Sequence, residues 1–176
     1  MLGVVVTAAI LLVATACPAP ADPPEFDPGT GIPTVGDFNP VALNGADQLT
    51  SATITPFVVT DTSGTLAGWH VSLQVPDLLN GTGPDCSTGA TALIAGANIS
   101  MDPPLVTAGD ITTTMTGVTS AGFTDFTTAR TIISAAIGDG AGTYDVSPAI
   151  LRMVVPQDAL AGAYCTEATL AITSGP

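Results

Sequence analysis

The sequence predicts an all-β protein, and three observations carry that prediction. Thr, Val and Ile are common, while the helix formers Glu, Gln, Arg and Lys are nearly missing. Short apolar runs are separated by Gly, Pro, Asn and Asp, at the spacing of a sandwich or a barrel. The stretch Gly68-Trp69-His70-Val71-Ser72-Leu73-Gln74-Val75 alternates apolar and polar residues, the period of a strand with one buried face. It holds the only tryptophan and the only histidine of the chain. An indole carries a large apolar surface, so Trp69 belongs at the centre of the core.

The remaining strands follow in order. Phe38 to Leu43 reads as a first strand, closed by the turn Asn44-Gly45. Gln48 to Asp61 is long and apolar at Ile54, Phe57 and Val59, with Pro56 marking an edge or a bulge. After the Trp69 strand, Asp77 to Thr91 is a Gly- and Asn-rich loop carrying Cys86. Leu93 to Met101, Ile111 to Thr116 and Gly122 to Phe126 are weaker candidates. Arg130 to Ile137, Thr143 to Ser147, Ala149 to Val155 and Ala163 to Thr173 complete the set. The one helical turn expected lies around Gln157 to Leu160.

Three segments precede or form this domain. Residues 1–16 contain the apolar run Leu2 to Ala16, too short to span a bilayer as a helix but the length of a signal-peptide core. Two processing routes stay open. Ala14-Thr15-Ala16-Cys17 is similar to a lipobox, in which Cys17 is lipidated, and Ala19-Pro20-Ala21 is a small-x-small cleavage site. Residues 17–34 are rich in Pro and Asp and read as a disordered, solvated tether. Residues 35–176 are the β domain. With Cys17 lipidated or removed, Cys86 and Cys165 remain as an even pair for a disulfide in an oxidising compartment.

Charge and residue inventory exclude several functions. The formal net charge is −13, lysine is absent, and Arg130 and Arg152 are the only basic side chains. Displacing counterions from phosphates needs clustered bases, which argues against nucleic acid; the same shortage disfavours anionic lipid surfaces. A lipid on Cys17 is the one expected route to a membrane. A single histidine, His70, in the polar row of its strand leaves little room for a Ser-His-Asp set, and there is no G-x-S-x-G elbow. No Gly-rich loop runs into Lys-Ser or Lys-Thr, and no D-x-D-x-D loop exists for calcium. Asp61, Asp139 and Asp145 could converge on calcium only from separate loops. The reading is a protein without enzymatic activity, cofactor or metal.

Several weak motifs, in order, resemble the WxL domain, a surface module of Gram-positive bacteria. Phe38-Asn39-Pro40-Val41 with Leu43-Asn44-Gly45 looks like its opening strand. Val58 to Gly64 followed by Gly68-Trp69-His70-Val71 looks like its first motif, with Val71 where Leu is usual. Gly140-Ala141-Gly142-Thr143-Tyr144 looks like its glycine-tyrosine turn. Leu151 to Pro156, then Ala161 to Tyr164 and Thr169 to Pro176, look like its terminal hairpin. The second motif is degenerate, since Leu170 stands where a tryptophan is usual. The resemblance implies an immunoglobulin-like, Greek-key β-sandwich held non-covalently on the cell wall through peptidoglycan, on the outside of a bacterial cell. Trp69, His70, Val71, Tyr164 and Leu170 are the binding candidates it carries over, against a core role for Trp69. The alternative is a lipid-anchored β-sandwich that binds other surface proteins without touching the wall.

Overall fold

The computed structural model describes residues 3–10, 23–82 and 88–175. In chain order the strands are β1 (Gly3–Ile10), β2 (Glu25–Phe26), β3 (Phe38–Ala42), β4 (Gln48–Ile54), β5 (Phe57–Asp61) and β6 (Trp69–Gln74). They continue with β7 (Leu78–Leu79), β8 (Leu93–Ile94), β9 (Ile99–Met101), β10 (Val106–Ala108) and β11 (Val118–Ser120). The last are β12 (Phe123–Thr124), β13 (Arg130–Ala135), β14 (Gly142–Val146), β15 (Ala149–Val155) and β16 (Ala163–Ser174). One 3₁₀ turn, Gly96–Asn98, is the only helical element among the described residues.

These strands form three sheets packed as a sandwich. The largest runs β11-β13-β6-β16-β1-β3, with β7 attached to β16 and β8 to β7. The others run β10-β14-β5-β2 and β12-β9-β15-β4. All pairings are antiparallel except β1 with β16, where Val5 to Ile10 align with Ala163 to Ala168. The twelve-residue β16 therefore serves twice: its first half pairs with β1 and its second half with β6.

The core is filled by alternation. Trp69, Val71 and Leu73 point inward from β6, and Leu151, Met153 and Val155 from β15, all buried. Trp69, Tyr144 and Tyr164 are the largest fully buried side chains. Each polar tip is satisfied, as burial demands. Trp69 Nε1–H donates to Gly140 O at 2.8 Å. The Tyr144 hydroxyl lies 3.1 Å from Ala141 O and 3.2 Å from Thr114 O. The Tyr164 hydroxyl donates to Leu160 O at 2.9 Å, four residues upstream, in the manner of a tyrosine corner.

Four details differ from the reading of the sequence. Gln48 to Asp61 is two strands in two sheets, because Pro56 has no N–H to continue a ladder. Ile111 to Thr116 is a turn, with Ile111 fully exposed. Asp110 causes it: its carboxylate accepts the Thr112 and Thr113 N–H groups at 2.7 and 2.8 Å, replacing ladder partners. The strands on either side, β10 and β11, were not expected. Gln157 to Leu160 forms no helix; Ala159 N–H donates to Pro156 O in a β-turn.

The stretch read as solvated tether is partly packed. Glu25 and Phe26 pair with Thr60 and Val59, and the Phe26 ring meets Phe57 edge-on at 5.5 Å. Pro24 and Pro33 are buried. Val35, where the domain was expected to begin, bridges to Ile54. Cys17 and the proposed cleavage sites lie outside the described residues, as does Cys86.

Candidate functional site

The five residues suggested as a binding set do not share a surface. Trp69 and Val71 are buried on the inner side of β6, and Tyr164 and Leu170 are buried on β16. The Trp69 ring packs against Tyr144 with centroids 5.3 Å apart and planes tilted by 59°. Leu170 pairs with Leu73 across the ladder and faces the same core. Only His70 reaches the outside, half-buried on the opposite side of β6.

The glycine-tyrosine turn explains how Trp69 is seated. Gly140 has φ +90°, and a Cβ there would lie 2.5 Å from the Ala135 Cβ and 2.8 Å from Trp69 Nε1. Only glycine lets this backbone approach the indole closely enough to accept its N–H. Tyr144, at the end of the same turn, keeps its proton: burial raises its phenol pKa, and the Asp61, Asp139 and Asp110 carboxylates raise it further.

The outer side of the large sheet carries a different set. Register aligns Thr119 of β11 with Ser134 of β13, Ser134 with His70 of β6, and His70 with Thr173 of β16. Four polar side chains thus stand in one row across four strands, about 14 Å long at the usual strand separation. Below it Thr131 aligns with Ser72, and Ser72 with Ala171. A shallow groove of about 520 Å³ runs over His70, Thr119, Thr131, Ser134 and Ala136. Thr119 Oγ1 and Ser134 Oγ are 3.0 Å apart and share a hydrogen bond.

His70 has an assigned tautomer. Its Nδ1 lies 2.9 Å from Gly175 O. A carbonyl oxygen can only accept, so Nδ1 carries a proton, and Nε2 is the acceptor of this tautomer.

Both basic side chains are already engaged. Arg130 Nε donates to Asp125 O at 3.0 Å, its guanidinium lies 3.6 Å from the Asp125 carboxylate, and it stacks 5.9 Å from the Phe123 ring centre. Arg152 pairs with Asp102. No basic patch exists to hold a phosphate polymer. Among the described residues no three His, Cys, Asp or Glu side chains are grouped to hold a metal ion. Of the three aspartates considered for calcium, Asp61 and Asp145 lie within strands rather than loops.

Cys165 is buried at the end of the core, opposite Leu79 of β7. The row Thr119–Ser134–His70–Thr173 was invisible in the sequence, except that alternation already placed His70 outward.

Comparison with known proteins gives the family. A model of the WxL domain, described as surface cell wall-binding, matches residues 38–149. The match spans β3 to the start of β15 and includes Trp69 and the turn from Gly140 to Tyr144; it stops before Leu170. No curated protein matches the chain. The match covers 112 of the 176 residues, so the chain belongs to the WxL family of cell-wall-binding surface domains and is an extracellular, wall-associated protein.

Proposed function

We propose that this domain holds its chain non-covalently on the peptidoglycan of the cell wall, and that it does so without catalysis. The family match over residues 38–149 carries this reading. The side-chain inventory supports it. The single imidazole is tied to Gly175 O, and both arginines are paired with aspartates. Purified protein should sediment with isolated wall sacculi and stay in solution once unfolded. Failure to sediment across a range of salt concentrations would overturn the reading.

Export and anchoring belong to the same proposal. The apolar run Leu2 to Ala16 acts as a leader whose removal takes β1 out of the large sheet, and Cys17 becomes the lipidated first residue. Labelled fatty acid should enter the wild-type chain and not Cys17→Ser. Cys86 is proposed to pair with Cys165, which is buried opposite Leu79 of β7. Such a bridge closes a loop of about 80 residues, worth ~4 kcal/mol in the chain-entropy model. Cys86→Ser, Cys165→Ser and the double variant should then melt alike and below wild type.

A further inference from the structure

We propose that the row Thr119–Ser134–His70–Thr173 is the surface that meets the wall, and that its ligand is a neutral, hydroxyl-rich glycan strand. This rests on the wall-binding reading above and names the site and ligand class for it.

Three observations point to this face. The first is exposure. The core holds Trp69, Val71, Tyr164 and Leu170, so none of them can touch a polymer, whereas the row faces outward, with Thr119, Ser134 and His70 lining an open groove and Thr173 exposed beside it. The second is charge. A chain of net charge −13 has no carboxylate on the strand segments 69–74, 118–120, 130–135 and 169–174; the nearest are Glu167, farther along β16, and Asp139, which lies against Gly117 at the rim of the groove. The sheet β10-β14-β5-β2, by contrast, exposes Glu25 and Asp145 on its strands. Polyanionic wall polymers would be repelled by the molecule as a whole and would find no free base. A neutral polymer meets no such barrier on this face.

The third is hydrogen-bonding chemistry. Ser and Thr hydroxyls both donate and accept, and the Nδ1-protonated tautomer of His70 accepts at Nε2. Sugar hydroxyls need the same mixture. Each exchange of water for such a contact gains little, so affinity must come from several contacts in series. A row crossing four hydrogen-bonded strands supplies that series on a rigid base.

The test is sedimentation of the full chain with isolated sacculi, before and after removal of their anionic polymers. Ser134→Glu and Thr119→Glu each put a carboxylate into the row. Thr53→Glu adds the same charge on the outer side of β4, in a different sheet. Retention should fall at least about tenfold for Ser134→Glu and Thr119→Glu and stay at the wild-type level for Thr53→Glu. Stripped sacculi should hold the wild type as well as intact ones do.

Melting curves establish folding. If Ser134→Glu melts early, Thr119→Glu on the edge strand β11 decides. Folded row variants that sediment like wild type would overturn the site and leave wall binding standing. Loss of wild-type binding on stripped sacculi would overturn the neutral ligand. A wild type that never sediments would overturn both this inference and the reading beneath it.

Discussion

The indole N–H of Trp69 donates to the carbonyl oxygen of Gly140 at 2.8 Å, across 71 residues of sequence. That bond ties the central strand of the large sheet to the turn leading into β14, and so to the facing sheet. Trp69→Ala would remove the ring from its place against Tyr144 and leave a cavity in the middle of the sandwich. We expect a loss of about 3–5 kcal/mol in urea unfolding. The fraction that stays folded should still sediment with sacculi. A Trp69→Ala protein as stable as wild type that no longer sediments would return the indole to the binding site.

Gly140→Ala tests the other partner of that bond. The new methyl group would collide with Ala135 and with the indole nitrogen, at a φ that L-residues rarely adopt. A cost of about 1–3 kcal/mol from the backbone alone is expected, before any repacking. Gly45→Ala is the comparison, because Gly45 also has positive φ but nothing lies within 4 Å of its Cβ position. Equal melting temperatures for the two variants would show that the contact with Trp69 contributes nothing.

Asp110 should show in the acid limb of stability. Its carboxylate accepts the Thr112 hydroxyl at 2.6 Å together with the Thr112 and Thr113 N–H groups. These bonds, led by the Thr112 hydroxyl, lower its pKa from 3.8 to about 2. The folded value lies below the unfolded one, so the contribution is complete above the unfolded pKa. It is lost as pH falls through the window from 3.8 to about 2. Asp110→Ala should lower stability at neutral pH and flatten the profile in that window, so that the two proteins converge in acid. A carbon-detected titration that places Asp110 near 4 would refute the assignment.

The first half of β16 should depend on β1. Ala163 to Ala168 align with Val5 to Ile10 on one side, and only Cys165 has a strand partner, Leu79, on the other. In a chain that begins at Cys17, amides in 163–168 should exchange faster than in the full chain. Amides in 169–174, paired with β6, should not change. Unchanged protection in both halves would mean that β1 contributes no pairing in solution.

Local properties of the sequence were sufficient for much of this. Composition excluded helices and basic surfaces, because those depend on which residues are present and not on where the chain goes. Alternation in the segment from Trp69 to Gln74 assigned inner and outer sides, because a strand's side chains alternate whatever its neighbours are. The Gly140 to Tyr144 turn was legible only through its resemblance to the family's glycine-tyrosine turn; what demands glycine at 140 is the approach to Trp69 and Ala135.

What only the tertiary structure decided was register and partnership. Pro56 reads as a bulge or an edge until the chain is seen to leave one sheet for another there. Ile111 has an apolar side chain suited to a strand, but the hydrogen bonds to Asp110 take its neighbours into a turn. Leu170 could stand for a lost binding tryptophan or for repacking; its place beside Leu73 puts it in the core. Thr119, Ser134, His70 and Thr173 are far apart in the chain, and nothing local marks them as a set. Shifting any one strand by a single residue would turn its side chain inward, so the row exists only through the pairing of four strands.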